Sequence, residues 1–514
     1  MSRVLHGKVR GWSAAFRVGL LGAWAVGAQA CGGGVAPAPP PPVPTAVPVA
    51  SVAPPPPDPL GLRPEVSEPP AFLPPSPSTF RASNGVEVWL LERHEAPIVS
   101  CDMTVPTGAS SDPKGKGGLA YVTANMLDEG AGKRGAIDLA RALDDLGASL
   151  HTDANADASF VSITVLRRNV EPAFALFGDV VIRPRFDPAE FRRVKDLWHN
   201  ELLEREKDPN ATARVVFRAT LFGADHPYGH PWDGTPQSAK SIGVEDARLF
   251  YGSAWRPDRA KLVCVGDITA EALTQLVESA FKSWRAPATA APAPIAPPAP
   301  KGPWPRLVLV DRPDAPQAVI AVLRPGIAAS DAEEPVLFRT NDAIGGSFSS
   351  RLNQDLRERH GYTYGARSVF SRSRGPGLVV SMANVVTDKT GDALAAMLED
   401  LKQFASGGLT EDEVERSRSI ARGELVGSYE SVESIAARLA ADVSLGLPPD
   451  WEAKASEKRD HAQKTELDAL ARTFFDPTDA VVVVVGPRAR VQPMLEKLGL
   501  PAPEIRDAVG MPVK

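Results

Sequence analysis

Residues 92–97 read ERHEAP, and residues 311–316 read DRPDAP, 219 positions further along the chain. Two other segments recur at nearly the same distance. The segment FDPAE at 186–190, which opens a predicted helix, is matched by LTEDE 223 positions later, and the apolar run KLVCV at 261–265 is matched by VVVVV 220 positions later. Three offsets that agree within four residues indicate an internal duplication, so we expect two homologous halves.

Each half mixes strands with helices. Apolar residues at 161, 163 and 165 alternate with smaller or polar ones, as in a half-buried strand. Residues 137, 140, 143 and 146 are apolar at helical spacing, and this pattern stops at Gly147. The mixture predicts the α+β class. We expect two homologous α/β-sandwich domains, each an antiparallel-rich sheet with helices on one side, arranged as a clamshell around a cleft.

Proline divides the chain into segments. Of its 514 residues 50 are proline, and 18 of these fall within residues 31–80. A second stretch, rich in proline and alanine, occupies residues 287–304. Such segments form extended spacers rather than packed cores. We therefore predict a linker at 31–80, a first domain at 81–286, a short linker at 287–304 and a second domain at 305–514.

The charge balance excludes one broad class of function. The chain has 57 lysines and arginines against 63 aspartates and glutamates, a net charge of −6. Proteins that bind DNA or RNA generally present a positive field to the phosphates. We expect no nucleic-acid partner.

The first 30 residues predict export. Four basic residues precede the apolar run 18–30, which is too short for a stable membrane span and suits a signal peptide. The run ends in AQA before Cys31, which resembles the lipobox of bacterial lipoproteins; the alternative is an ordinary signal peptide with an incidental cysteine. Lipidation of Cys31 would anchor the protein to a membrane without a transmembrane helix. We expect a location in the cell envelope, at the outer membrane facing the periplasm.

The other two cysteines, Cys101 and Cys264, lie in apolar strand-like runs. They form a disulfide or remain two buried thiols, and the sequence leaves both alternatives open.

Three segments resemble one family. Residues 117–127 (GGLAYVTANML) are similar to the G-x-A-H-x-x-E-H-M-L segment of the pitrilysin/insulinase metallopeptidases, especially their mitochondrial processing peptidase branch. Residues 226–236 contain HPYGHP and GTP, which resemble the family's H-P-Y-G…G-T loop. Residues 349–364 match its S-S-R-L…L-R-E-x-x-G-x-x-Y segment. With the duplication, the resemblance covers nearly all of residues 81–514 and implies a two-domain peptidase fold.

The zinc motif is degenerate. Where the family has two histidines and a glutamate, this chain has Tyr121, Asn125 and Ala124 respectively. A phenol with a pKa of about 10 is a poor zinc ligand at neutral pH. A methyl group cannot take a proton from water. Neither H-x-x-E-H nor H-E-x-x-H occurs elsewhere in the sequence, so we expect no catalytic residue and no metal cofactor on this chain.

Glu201 lies where the resemblance places the third zinc ligand of the family. The second half has Glu424 at the equivalent position without a histidine pair. We therefore interpret Glu201 as a scaffold residue. The alternative is an active metallopeptidase with a remodelled site built from Glu201, His199 or the loop at His226.

Arg357 and Tyr364 match the arginine and tyrosine with which the second domain of active relatives reaches the substrate. Both side chains can donate hydrogen bonds to a carbonyl oxygen that gains negative charge. The alternative is a solvated charged stretch and an ordinary strand aromatic. Several relatives divide the work between a zinc-bearing chain and a homologue that carries this pair. The resemblance thus implies a metal-free, substrate-binding partner of a zinc-bearing peptidase subunit, acting on peptides; a peptide-binding or scaffolding lipoprotein without such a partner is the alternative.

Overall fold

The computed structural model describes residues 71–289 and 296–513. The predicted signal peptide, the lipidation site at Cys31 and most of the first linker lie outside the described residues. Within the described residues, no helix combines the length and the apolar character that a membrane span needs.

The first half supplies the following elements: β1 (Ser78–Arg81), β2 (Glu87–Glu92), β3 (Ile98–Val105), α1 (Leu119–Asn125), β4 (Gly130–Ala131), β5 (Arg134–Gly135), α2 (Ala136–Asp145), β6 (Ser149–Ala154), β7 (Ser159–Leu166), α3 (Val170–Ile182), α4 (Pro188–Lys207), α5 (Pro209–Phe222), α6 (Pro236–Ser241), α7 (Val244–Ala254), β8 (Lys261–Gly266) and α8 (Ala270–Phe281).

The second half supplies the following elements: β9 (Leu307–Asp311), β10 (Gln317–Pro325), α9 (Glu334–Asn341), β11 (Thr363–Phe370), β12 (Leu378–Val386), α10 (Thr390–Gly407), α11 (Glu411–Gly427), α12 (Val432–Leu445), α13 (Trp451–His461), α14 (Lys464–Phe475), β13 (Val481–Gly486), α15 (Arg488–Lys497) and β14 (Glu504–Arg506). Two π-helical turns, Asp342–Gly346 and Asn353–Arg359, precede β11.

Five strands of each six-stranded sheet follow the same order, and the sixth strand, at one edge, differs: β1 is antiparallel to β2, whereas β14 is parallel to β9. The first runs β1-β2-β8-β3-β7-β6, and the second, taken from the opposite end, runs β14-β9-β13-β10-β12-β11. Strand β2 is parallel to β8 in the first sheet, as β9 is to β13 in the second. Strand β8 is antiparallel to β3, as β13 is to β10. The prediction of an α+β protein with two homologous domains is confirmed.

Local sequence explains where the corresponding helices α4 and α11 begin. The carboxylate of Asp187 accepts a hydrogen bond from the backbone N–H of Ala189 at 2.8 Å, with Pro188 in the first turn. At α11, Thr410 and Glu413 form a reciprocal capping box. Both devices pair backbone donors that a helix start otherwise leaves without partners.

One face of the first sheet packs on its own helices. Buried side chains of β3 and β8 on this face include Met103, Leu262 and both Cys101 and Cys264. The two cysteines lie directly opposite each other on neighbouring antiparallel strands, with Cα atoms 4.2 Å apart, and their sulfurs are bonded. The structure therefore forms the disulfide that the sequence left open.

We expected helices on only one side of each sheet, and this expectation is wrong. The other face of the first sheet, including Trp89 and Val263, is covered by α12 of the second half, through Leu439 and its neighbours. Reciprocally, α5 of the first half covers the second sheet, where Phe217 packs with Val483. Helix α12 begins 223 positions after α5, so the exchange obeys the internal duplication.

The exchange also changes the expected arrangement of the halves. Because α5 and α12 cover the inner faces, the two sheets do not face each other across an open cleft in the described part of the chain. The predicted clamshell is therefore not formed by this pair of sheets. The described residues instead belong to one compact unit.

Candidate functional site

Helix α1 carries the degenerate zinc motif, and its start is built around Asp112. The carboxylate of Asp112 accepts hydrogen bonds from the backbone N–H groups of Gly118 at 2.7 Å and Ala120 at 2.9 Å. Gly118 has a φ of +90°, and a Cβ there would lie 2.6 Å from the ring of Trp198. Burial raises the pKa of Asp112 to about 7, although the backbone hydrogen bonds oppose that rise. The turn thus holds α1 tightly against α4.

Tyr121, at the position of the first metal ligand, is packed among aromatic rings. The ring of Tyr121 is 8% exposed and lies 6.2 Å from the ring of Trp198 and 5.5 Å from that of Trp232, measured between centroids. Ala124 is fully buried. The side-chain amide of Asn125 donates a hydrogen bond to the backbone carbonyl of Tyr121 at 2.9 Å. These groups offer neither an imidazole for zinc nor a base for its water.

The two α4 residues considered for a remodelled site have different surroundings. The side chain of Glu201 is exposed, whereas His199 is half-buried and its Nδ1 has no hydrogen-bond partner among the described residues. Trp198, on the same helix, donates its indole N–H to the backbone carbonyl of Asp233 at 2.8 Å. Two positions apart on a helix, His199 and Glu201 point in different directions.

The histidines of the HPYGHP loop bond to backbone groups. Nε2 of His226 donates to the carbonyl of Pro298 at 2.9 Å, and its Nδ1 accepts from the backbone N–H of Tyr228 at 3.0 Å. Burial lowers the pKa of His230. In the part of the chain that the structure describes, no three histidine, cysteine, aspartate or glutamate residues are grouped so that they could hold a metal ion.

The same loop joins the two halves through residues that the sequence did not single out. The buried hydroxyl of Tyr228 donates to the carboxylate of Asp157 at 2.6 Å. Asp157 accepts a second hydrogen bond from the backbone N–H of Arg374 at 2.9 Å, and the N–H of Gly375 donates to the Tyr228 oxygen at 2.9 Å. No sequence pattern links positions 157, 228 and 374, so only the folded chain reveals this contact.

The predicted substrate-binding pair lies on the second half. The guanidinium of Arg357 lies 4.1 Å from the ring centre of Phe348 and 3.1 Å from the carboxylate of Glu358. The side chain of Tyr364, on the edge strand β11, is 89% exposed. Phe348 is 68% exposed and was missed in the sequence, although an exposed aromatic beside an arginine is a typical binding feature.

The structure does not join this pair to the degenerate motif. In the described residues, Arg357 and Tyr364 make no hydrogen bond, ion pair or ring contact with α1. Tyr364 reaches solvent instead of a protein neighbour. An exposed phenol and a cation stacked on an exposed ring are available to a molecule outside this chain.

Both halves of this chain are similar in sequence to known proteins. Residues 87–226 match the profile of insulinase (peptidase family M16), and residues 241–421 match that of the peptidase M16 inactive domain. An uncharacterized zinc protease of Mycobacterium tuberculosis is 28% identical over 346 residues, which cover 66% of this chain and 78% of that protein. A non-peptidase homolog of Helicobacter pylori is 22% identical over 405 residues, 77% of this chain and 90% of that protein.

Solved structures show the same fold. The crystal structure of a peptidase M16 inactive domain from Pseudomonas fluorescens covers 80% of this chain and 98% of its own, with a TM-score of 0.74 and 23% identity. A protease from Helicobacter pylori covers 80% of this chain and all of its own, with a TM-score of 0.72 and 16% identity. The fold is thus that of the two-domain M16-like peptidases. This chain belongs to the pitrilysin/insulinase family, with Tyr121, Ala124 and Asn125 at the positions of the zinc motif.

Proposed function

We propose that this chain is a metal-free, non-catalytic member of the family and serves as the substrate-binding subunit of a heterodimeric zinc peptidase in the cell envelope. One observation carries the proposal. Tyr121, Ala124 and Asn125 occupy the motif positions, and the first is packed between Trp198 and Trp232. Hydrolysis of a peptide by this family requires a zinc-bound water and a base, and these side chains supply neither.

One relative supports a non-catalytic role by its name. The similar proteins include ones named zinc protease and one named non-peptidase homolog. Relatives of both kinds therefore exist, so we judge whether a chain is catalytic from the residues at its motif positions. Here they favour the non-catalytic kind.

The exchanged helices favour a partner chain. Because α5 and α12 each cover a sheet face of the other half, we place the cleft for an extended peptide between this chain and another molecule. The exposed group of Phe348, Arg357 and Tyr364 is available for such a peptide. The edge strands β6 and β11 also present backbone groups to which a peptide strand can pair. Zinc would then be carried by the partner.

Two features support an envelope location. The first 30 residues have the composition of a signal peptide and are followed by Cys31 and the proline-rich spacer. The disulfide between Cys101 and Cys264 suits an oxidising compartment, since cytosolic thiols are kept reduced. A lipid on Cys31 would hold the protein at the membrane, with the outer membrane as the proposed site.

The test starts from the tagged chain, solubilised with detergent from native membranes. We expect a homologue with an intact H-x-x-E-H motif to remain bound in stoichiometric amount, and the pair to cleave peptides in a chelator-sensitive reaction. Arg357→Ala and Tyr364→Phe should lower the activity of the pair at least tenfold, in line with the loss of one or two hydrogen bonds to a developing oxyanion. Arg168→Ala, at an exposed residue far from β11 in the chain, is the matched control.

Two results would contradict this proposal. Recovery of the chain alone, or only with itself, would leave a binding or scaffolding lipoprotein. A purified chain that holds one equivalent of zinc and cleaves peptides alone would instead identify an active peptidase with a remodelled site.

A further inference from the structure

A cavity of about 530 Å³ lies at the start of α5 and is lined by residues of both halves. The first half contributes Asn210 and its neighbours at the junction of α4 and α5. The second half contributes residues 312–316, which belong to the repeated DRPDAP segment, together with Val319 and Asn384 of its sheet. Ligand sites commonly have volumes of about 300–1,000 Å³, so this space, the α5 cavity, is large enough for a side chain of a bound peptide.

Arg312 links the two halves beside the α5 cavity. Its guanidinium donates hydrogen bonds to the backbone carbonyl of Glu206 near the end of α4 and to the hydroxyl of Thr212 on α5, the second at 2.7 Å. Its Nε–H is buried and has no hydrogen-bond partner in the part of the chain that the structure describes. Contacts between the halves thus hold the lining in place and leave one donor unused.

Asn384 is a polar residue on an otherwise apolar sheet face. Leu378, Val380 and Met382 precede it at alternate positions of β12 and belong to the apolar cluster that includes residues of α5. The residue opposite Asn384 on β10 is Val319. Within residues 71–289 and 296–513, the buried Oδ1 of Asn384 accepts no hydrogen bond. A buried amide oxygen without a donor is unfavourable, so this position favours a ligand that brings an N–H group.

Asn210 supplies a second such amide from the first half. It is the second residue of α5, and its Oδ1 is also buried without a donor among the described residues. Its backbone N–H donates to the carboxylate of Asp208 at 2.8 Å, so the start of the helix is already capped. Since no donor holds Oδ1 of either asparagine in place, rotation about the Cβ–Cγ bond can turn the amide toward the cavity without the loss of a hydrogen bond from that oxygen.

The internal duplication supplies a comparison. Val319 pairs with Asn384, and the residues 219 and 220 positions earlier, Ser100 and Thr164, pair with each other in the same way. The hydroxyls of Ser100 and Thr164 form a hydrogen bond of 2.9 Å. In the first half, therefore, the polar groups at this place satisfy each other, whereas Asn384 faces an apolar side chain. The fold does not require an unsatisfied amide here, and its presence points to a ligand of the α5 cavity.

We propose that the α5 cavity binds the side-chain carboxamide of a glutamine or asparagine in the peptide, so that peptides with such a residue are the substrate class of this subunit. A carboxamide has two N–H donors for the Oδ1 atoms of Asn210 and Asn384, and its oxygen can accept from the Nε–H of Arg312. The lining also contains Lys207 and Asp314. A carboxylate or an ammonium group would therefore meet a like charge, which favours a neutral polar group.

The α5 cavity adjoins the strand that carries Tyr364. The hydroxyl of Thr363 donates a hydrogen bond to the backbone carbonyl of Asn384 at 2.7 Å, and Thr363 directly precedes Tyr364 on β11. A peptide that contacts Tyr364 can therefore place a side chain in the cavity. This inference rests on the proposed function and specifies its substrate class.

The test measures the binding of labelled peptides to the purified full-length chain by fluorescence anisotropy. Three ten-residue peptides share one alternating threonine–alanine sequence with blocked ends and differ only at the fifth residue, which is glutamine, methionine or glutamate. Methionine is similar to glutamine in size and lacks the amide. We expect the glutamine peptide to bind about tenfold more tightly than the methionine peptide, as for one or two net hydrogen bonds. The glutamate peptide should bind more weakly than the glutamine peptide, because an ionised carboxylate has no N–H donor.

Variants test the two asparagines. Asn210→Leu and Asn384→Leu each keep the approximate size of the side chain and remove its amide. Each should abolish most of the advantage of the glutamine peptide and leave the binding of the methionine peptide unchanged. Asn200→Leu, at an exposed residue of α4, is the control and should change neither. Circular dichroism checks that each variant folds, and because the asparagines belong to different halves, either variant alone is a sufficient test.

The outcomes separate the two proposals. Equal affinity of the glutamine and methionine peptides, or failure of all three peptides to bind, would overturn the amide site, because this chain alone forms the cavity. Binding of the glutamate peptide at least as tight as that of the glutamine peptide would also overturn it, as would a glutamine advantage that survives both asparagine variants. The proposed function has a separate test in the recovery of a zinc-bearing homologue, so its failure is recognised independently.

Discussion

The hydroxyl of Tyr228 donates a hydrogen bond to the carboxylate of Asp157 across 2.6 Å, although the two residues are 71 positions apart. Both side chains are buried. Through Asp157 and the N–H of Gly375 the pair reaches the loop between β11 and β12 in the other half. A loop that the sequence marks only by histidine, proline and glycine thus connects the two domains.

Tyr228→Phe should destabilise the chain by about 2 kcal/mol, because it leaves a buried carboxylate oxygen and a backbone N–H without their partner. Urea unfolding monitored by circular dichroism measures the change. Tyr364→Phe removes the same hydroxyl from a side chain that is 89% exposed, and it should leave stability within about 0.5 kcal/mol of the wild type. Equal stabilities of the two variants would contradict a role of Tyr228 in joining the halves.

Asp102 predicts a pH dependence of stability. It lies on β3, and its carboxylate accepts a hydrogen bond from Thr104. Burial raises its pKa to about 7, against the ordinary value of 3.8. The folded protein therefore keeps a proton that the unfolded chain releases near pH 4. The stabilisation from this proton is complete below pH 4 and is lost as pH rises toward 7, by about 1.4 kcal/mol per pH unit.

Comparison of the wild type with Asp102→Asn isolates this contribution. The free energy of unfolding of the wild type, relative to that of the variant, should decrease between pH 5 and pH 7 and then level off. Asp138→Asn, at a residue with 72% side-chain exposure, serves as the control and should show no such trend. A constant difference between wild type and Asp102→Asn across this range would mean that the carboxyl is ionised throughout.

Leu439→Ala tests the exchanged helix. Leu439 on α12 is 1% exposed and packs with Trp89 of the first sheet. The cavity should cost about 2–5 kcal/mol. Because α12 belongs to one half and covers the sheet of the other, unfolding should remain a single transition by tryptophan fluorescence and circular dichroism alike. Leu249→Ala, at a residue with 75% exposure, should be nearly neutral, and separate transitions for the two signals would argue against interlocked halves.

Removal of the disulfide should also weaken the fold. The bond between Cys101 and Cys264 spans 163 positions of sequence. We expect Cys101→Ala combined with Cys264→Ala to lower the free energy of unfolding by about 2–4 kcal/mol, mainly because the unfolded chain becomes less restricted. Wild-type protein with and without reductant gives a second measurement of the same effect. Alkylation of both cysteines in the non-reduced, folded protein would contradict the bond.

Much of this molecule follows from local sequence. The repeated offsets and the two hydrophobic periodicities predicted two homologous α+β halves, because strand and helix patterns depend on neighbouring residues. The cap at Asp187 was predictable for the same reason. The degenerate motif could also be recognised from the residues alone. Tyr121, Ala124 and Asn125 lack the groups that zinc-dependent peptide hydrolysis needs, whatever the fold.

The tertiary structure decided the features that depend on distant residues. It placed α5 of the first half on the second sheet and α12 of the second half on the first sheet. These sheet faces are therefore packed rather than open to a cleft. It joined Tyr228 to Asp157 and Cys101 to Cys264. Sequence alone determined which side chains are present and which elements they form. Only folding determined which of them meet, because such contacts depend on the packing of whole elements rather than on spacing along the chain.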